Sequence, residues 1–209
     1  MDNLAEKLRK YTKEDYANKK IDLHIHTACS DGEGDYRQIL QSAKGKGYEL
    51  ISITDHNTAE VHAQVKDDIL IPGVEFDCWF GYVFIHLLAY GIDIENDEFK
   101  KFLAKNKIGT ENALFRIFTF RNVKKLINAI HNAGGIAVLA HPACCWALSL
   151  ERLIKNLSTI GLDGVEVYYP YQRFRSIVKF HSNESVKKAA DKYPSLLQTG
   201  GTDFHDEKF

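Results

Sequence analysis

His24, His26, Asp31, His56, Glu75, His86, His141, Asp203 and His205 are all of metal-ligating type, and nearly every one follows a short apolar run. In Ile21-Asp22-Leu23-His24-Ile25-His26 the two histidines stand two positions apart. On a strand that spacing points both imidazoles to one face, where they can reach one cation. A single His-x-His pair is weak evidence, because histidines two apart also occur on surface strands. Five further segments change the balance. Ile51 to His56, Gly73 to Phe76, Phe84 to His86, Ile136 to Pro142 and Thr199 to His205 each end a β-like run with a ligand-type residue. Imidazole and carboxylate donors without thiolates suit Zn²⁺, Mn²⁺ or iron better than Ca²⁺ or Mg²⁺, which prefer all-oxygen shells. One tetrahedral zinc takes about four ligands, so this inventory predicts two or three divalent ions with shared carboxylates.

The elements that must position these residues are legible as alternating strands and helices. Apolar runs at Ile21–Ile25, Leu50–Ile53, Ile69–Phe76, Val83–Ala89, Ile136–Ala140, Gly164–Tyr168 and Leu196–Gly200 predict seven strands. Within Asn122–Asn132, Val123, Leu126, Ile127 and Ile130 recur at helical spacing, and Gly134-Gly135 follows as a stop signal. Leu150, Leu153, Ile154 and Leu157 line one face of another helix, with Ser149 placed to cap it. The alternation predicts an α/β fold with much parallel pairing. Ligands at strand ends fit a TIM-barrel-like arrangement whose chemistry occupies one face.

A chain of 209 residues is long enough for one well-buried domain. Residues 1–20 read as a charged, helix-forming extension and 21–209 as a single domain. With 27 basic against 28 acidic residues the net charge is −1, which gives no global reason to bind nucleic acid or an anionic membrane. Stable duplex binding is therefore not expected, and any nucleic-acid substrate must be held locally. Cys29, Cys78, Cys144 and Cys145 form no C-x-x-C pair, and adjacent Cys144-Cys145 is a poor disulfide candidate, so the usage fits a reducing, cytoplasmic compartment. No apolar signal region or membrane span is legible.

The motifs DLHIHTACSDG, ITDHN, GVEF followed eleven residues later by His86, AHP and GGTDFH stand in that order between Ile21 and His205. On them the chain resembles the PHP family, the polymerase and histidinol phosphatase metal-dependent phosphoesterases, in its small stand-alone form; DGVEVYYPY before the last motif is of the same kind. The resemblance implies a distorted seven-stranded (β/α) barrel. It also implies a partition of ligands: His24, His26, Glu75 and Asp203 on one ion, Asp31, His56 and His205 on another, and Glu75, His86 and His141 on a third, with Glu75 bridging. The implied activity is hydrolysis of small phosphomonoesters or of nucleotide and oligonucleotide phosphodiesters by metal-activated hydroxide, in which His24, His26, Glu75, Asp203 and His205 act through the activated water. Histidinol phosphate phosphatase is an alternative, and a catalytically silent module with a structural or regulatory role is another. Two departures from the family pattern stand out. Only Gly91 to Gly135 separates the Glu75…His86 motif from the AHP motif, where many relatives carry an insertion. The chain also stops at Phe209, so barrel closure is expected to lean on the N-terminal segment or on another subunit.

Tyr168 to Arg175 mixes aromatic rings with guanidinium groups, which reads either as a solvated loop with tyrosines packed on the barrel rim or as a substrate-contacting stretch, for which the candidates are Arg173, Arg175 and, further on, His181. The remaining titratable groups have plain readings. His131 falls late in a helix, where the dipole favours it; His62 is placed on an exposed helix; Cys144 and Cys145 read as ordinary free thiols. Lys44, Lys46, Lys124 and Lys125 read as a solvated face. Asp55 is expected to orient His56 or a nearby backbone group.

Overall fold

The computed structural model describes residues 2–169 and 180–209. Seven strands, β1 (Ile21–Ile25), β2 (Leu50–Ile53), β3 (Leu70–Phe80), β4 (Val83–Tyr90), β5 (Ile136–Leu139), β6 (Gly164–Tyr168) and β7 (Leu197–Gly200), form one sheet in sequence order. The sheet curls until its ends meet. Ile25 bridges Phe204, the His26 amide donates to the Phe204 carbonyl at 2.8 Å, and the Phe204 amide returns a bond to the His24 carbonyl. The result is a distorted seven-stranded barrel with helices packed outside.

Pairing is parallel from β1 to β3 and from β5 to β7, but β4 runs antiparallel to both neighbours. The expected parallel pairing therefore holds for four of the six strand pairs, and the antiparallel β4 is a feature the sequence reading did not anticipate. β3 runs four residues past Phe76 and turns tightly through Gly81, whose φ of 62° suits a two-residue hairpin. Glu75 and His86 consequently lie within strands instead of ending them.

Alternation on this hairpin separates two environments. Val74, Phe76, Cys78, Ile85 and Leu87 face outward into the helical layer, where they pack with Phe99, Leu126 and Ile130. The helix Val123–Asn132 presents the apolar stripe read from its sequence, and the Asn122 side chain caps it by accepting from the Lys125 amide. Ser149 caps Leu150–Ser158 in the same way. The inner face of the hairpin pairs Glu75 with Leu88, Asp77 with His86 and Trp79 with Phe84. Progress toward the rim thus passes from apolar to ionisable to aromatic side chains.

Below the ionisable layer the interior is apolar. Ile21, Leu23, Leu88, Tyr90, Ile136, Val138 and Leu197 gather there with Leu8 from the helix Asp2–Leu8. Leu4, Ala5, Tyr11 and Tyr16 pack against the same group. The N-terminal segment therefore stoppers this end of the barrel. Full burial of one such side chain stabilises by about 1.5–3 kcal/mol. No helix among the described residues is long and apolar enough to cross a membrane.

Candidate metal centre

All nine sequence-predicted ligands converge at the open end of the barrel, in overlapping groups. His24, His26, Glu75 and Asp203 make one; His26, Asp31, His56 and His205 a second; Glu75, His86 and His141 a third. A fourth, His56, Asp77 and His86, includes a carboxylate that the sequence reading passed over.

The first group is built from the end of β1 and the residue after it, β3 and the loop after β7. His24 Nε2 and His26 Nε2 lie 3.1 Å apart, and each lies 3.1–3.3 Å from Glu75 Oε2 and Asp203 Oδ1. Neighbouring donors in a tetrahedral shell with bonds of about 2.0–2.2 Å stand about 3.3–3.6 Å apart. Two imidazole nitrogens and two carboxylate oxygens thus surround one point at close to coordination spacing, so the donor set fits a divalent cation. Gly201 makes this approach possible, since a Cβ there would fall 2.3 Å from His24 Cβ.

The reverse sides of the rings are also held. His24 Nδ1 lies 3.0 Å from Glu166 Oε1, and Glu166 Oε2 accepts from the His141 amide at 2.7 Å. A carboxylate behind Nδ1 keeps the proton there and leaves the Nε2 lone pair for the centre. On the other side, Asp77 stands 3.4 Å from His56 Nδ1 and 3.1 Å from His86 Nε2. These contacts favour His56 presenting Nε2, and His86 presenting Nδ1, which is 2.9 Å from Glu75 Oε1. Asp77 is completed by the Asn57 amide at 2.5 Å, and Asn57 also donates to the Gly109 carbonyl. Arg116, buried on the short helix Ala113–Ile117, donates to Asp31 Oδ2 at 2.8 Å and brings Nε within 3.8 Å of Asp77.

Three residues of the site hold a left-handed backbone without being glycine: Asn57 at φ 57°, His141 at φ 24° and Asp203 at φ 48°. Such conformations cost on the order of 1–3 kcal/mol each and persist where surrounding contacts over-determine them.

Burial and charge oppose each other here. Burial pushes the Glu75 carboxyl up, yet His24, His56 and His86 hold it well below the usual range. Asp203 is held down in the same way by His24 and His26. Burial pulls His26 down, but Asp203 and Glu75 outweigh it and raise it to about 10. The carboxylates are thus ionised at neutral pH, as metal binding requires.

Asp55 meets its expected backbone role and His131 its place late in a helix, while His62 and His181 are placed differently from expectation. Asp55 accepts from the Thr27 amide and from the Thr27 and Ser30 hydroxyls, so it fixes the turn leading to Asp31 while Asp77 faces His56. His62 is buried, with Nε2 2.8 Å from the Ile53 carbonyl and 3.0 Å from the Gly73 amide; its five-residue helix turns that face inward beside Val61. His131 pairs with Asp163 at 2.8 Å, and His181, which belongs to none of the four donor groups, faces the Ala147 carbonyl at 2.7 Å. Arg173 and Arg175 lie outside the described residues. Tyr169, from the same stretch, donates its hydroxyl to Asp203 Oδ2 at 2.6 Å. Glu166, Asp77 and Arg116 were missed by sequence reasoning. Asp77 carried a signal, its position two residues after Glu75 on one strand face.

Convergent imidazoles and carboxylates at the mouth of a seven-stranded barrel define an α/β-barrel protein equipped to bind divalent metals. Residues 22–139 match the PHP domain, and the chain belongs to that family. It is 28% identical over 190 residues to the protein MJ1587 of Methanocaldococcus jannaschii, covering 83% of this chain and 95% of that one. It is 32% identical over 219 residues to the 5'-3' exoribonuclease Rnm of Salmonella typhimurium, covering 70% and 74%. Among solved structures, a Chromobacterium violaceum protein described as an amidohydrolase with bound sulfate and no metal superposes with a TM-score of 0.68 at 20% identity, over 90% of this chain and 88% of that one. That likeness speaks for the fold.

Proposed function

We propose that this chain is a metal-dependent phosphoester hydrolase whose substrates are small phosphomonoesters or nucleotide and oligonucleotide phosphodiesters. One observation carries the reading: the buried Glu75 carboxylate stands at a junction. Its Oε2 faces His24, His26 and His56 at 3.1–3.3 Å, and its Oε1 faces His86 and His141 at 2.9 and 3.1 Å. Such a carboxylate suits adjacent ions. His24, His26, Glu75 and Asp203 would hold one, Asp31, His56 and His205 a second, and Glu75, His86 and His141 a third.

Divalent ions bound there would lower the pKa of water toward about 7 and offset charge on the attacking and leaving oxygens. The chain's own residues prepare the site for this. Glu166 and Asp77 keep ring protons on the outer nitrogens, and Tyr169 occupies Asp203 Oδ2 while Oδ1 faces the centre. Arg116 brings a guanidinium to the edge beside Asp31, where the anionic oxygens of a phosphoester would arrive. The naming of a relative as an exoribonuclease supports the diester part of the reading.

The test is hydrolysis by the purified protein across nucleotides, short oligonucleotides and histidinol phosphate, with Mn²⁺ or Zn²⁺ and with a chelator. Chelator-sensitive turnover that disappears in Asp203→Ala is expected. A folded, metal-loaded protein inactive on the whole panel would move the reading to a silent module.

A further inference from the structure

The segment Lys100 to Lys125 carries eight basic residues and one acidic, a balance of +7. The whole chain is −1, so the other residues sum to −8. All this segment's lysines are exposed. Among the described residues the same segment holds most of the exposed large apolar side chains: Ile108, Leu114, Phe115, Ile117, Phe118 and Phe120, with Phe118 72% and Phe120 79% accessible. An apolar patch of this kind marks an interaction surface.

The patch is continuous with the metal centre. The His86 ring meets Phe84 edge-on at 5.2 Å, Phe84 meets Trp79 at 5.2 Å, and the Trp79 indole donates to the Ile117 carbonyl at 2.6 Å. Arg116, between Phe115 and Ile117, reaches Asp31. Aromatic faces therefore lead from the candidate ligands to the exposed phenylalanines, flanked by lysines.

We infer that this surface is a binding track for single-stranded oligonucleotide, in which bases stack on Trp79, Phe84, Phe115, Phe118 and Phe120 while Lys105 and Lys107 follow the phosphates. The inference rests on the phosphoesterase reading, and it makes that substrate a strand longer than one nucleotide. Charge selects the occupant. Two copies of a +7 segment repel each other, whereas a polyanion releases counterions on binding and offers a π-face at every base.

The experiment measures fluorescence anisotropy of a labelled 2'-O-methyl phosphorothioate octamer, which resists hydrolysis, against the full chain loaded with Mn²⁺. Affinity is expected to rise steeply from mononucleotide to octamer and to fall with salt. Phe118→Ala/Phe120→Ala is expected to weaken the octamer by about tenfold or more. Lys105→Glu/Lys107→Glu should weaken it and flatten the salt dependence. All four side chains are exposed, and matching circular dichroism confirms folding. Equal affinity for mononucleotide and octamer, or variants that bind the octamer like the parent, would overturn the track. So would a shift from dimer to monomer, or loss of binding to phosphatidylserine vesicles, in the phenylalanine variant with octamer affinity unchanged. Hydrolysis of bis(p-nitrophenyl) phosphate by the parent protein is read separately. Its failure with octamer binding intact counts against the hydrolase, and its success without length dependence counts against the track.

Discussion

The two flanks of the metal centre are anchored by similar chemistry in different surroundings. On one flank Glu166 is fully buried and grips His24 and the His141 backbone. On the other, Asp77 faces His56 and His86 but is also tied through Asn57 to Gly109, and its own carbonyl accepts from Arg121. The first flank closes on barrel strands and the second on the segment between β4 and β5. Ring orientation is thus fixed internally on one side and coupled to a surface segment on the other.

Removing a ligand of the central group between the flanks should have the largest effect. Asp203→Asn or His24→Ala is expected to bring turnover down to that of the chelator-treated protein while the far-ultraviolet spectrum stays unchanged. Retention of near-parental activity would remove that residue from the centre. The outer carboxylates come next. Glu166→Gln should cost about 10–100-fold in metal affinity or activity, with equal loss on every substrate tested. Asp77→Asn should cost a similar factor of about 10–100 and in addition speed proteolytic cleavage between residues 102 and 121. Identical proteolysis of the two variants would erase the distinction between the flanks.

The smallest effect should come from His62, held against Ile53 of β2 and Gly73 of β3. Burial holds its imidazole below the ordinary 6.5. The unfolded chain then takes up a proton that the folded one refuses. Its contribution to stability is intact above pH 6.5 and is lost as pH falls from there through the lowered value. His62→Gln should flatten that portion of the stability curve in denaturant titrations at a series of pH values. An unchanged slope would mean that other groups carry it.

Most of the architecture was legible because it rests on local patterns. Seven apolar runs became seven strands, and the stripe Val123, Leu126, Ile127, Ile130 became the buried face of a capped helix. The nine ligand-type residues were legible because each occupies a short, chemically unambiguous motif. Antiparallel pairing of β4 was not, since an apolar run carries no sign of its direction. Glu166 and Arg116 act through partners 142 and 85 positions away in sequence, distances that no local pattern encodes, whereas Asp77 shares a strand face with Glu75 two positions before it. His62 was misplaced because a histidine on a polar-looking stretch gives no hint that its short helix turns inward.

The tight turn at Gly81 governs how such a site could be remodelled. Glu75, Asp77 and Trp79 on one strand, and His86 and Phe84 on the other, share a face only because each lies an even number of steps from the next. The hairpin can be lengthened or shortened at its tip by matched pairs of residues on each strand without disturbing the ligands beneath. A change of one residue within a strand would send every side chain beyond it to the opposite face. Reach at the rim is thus adjustable in increments of about 7 Å, while the inner layer keeps its register.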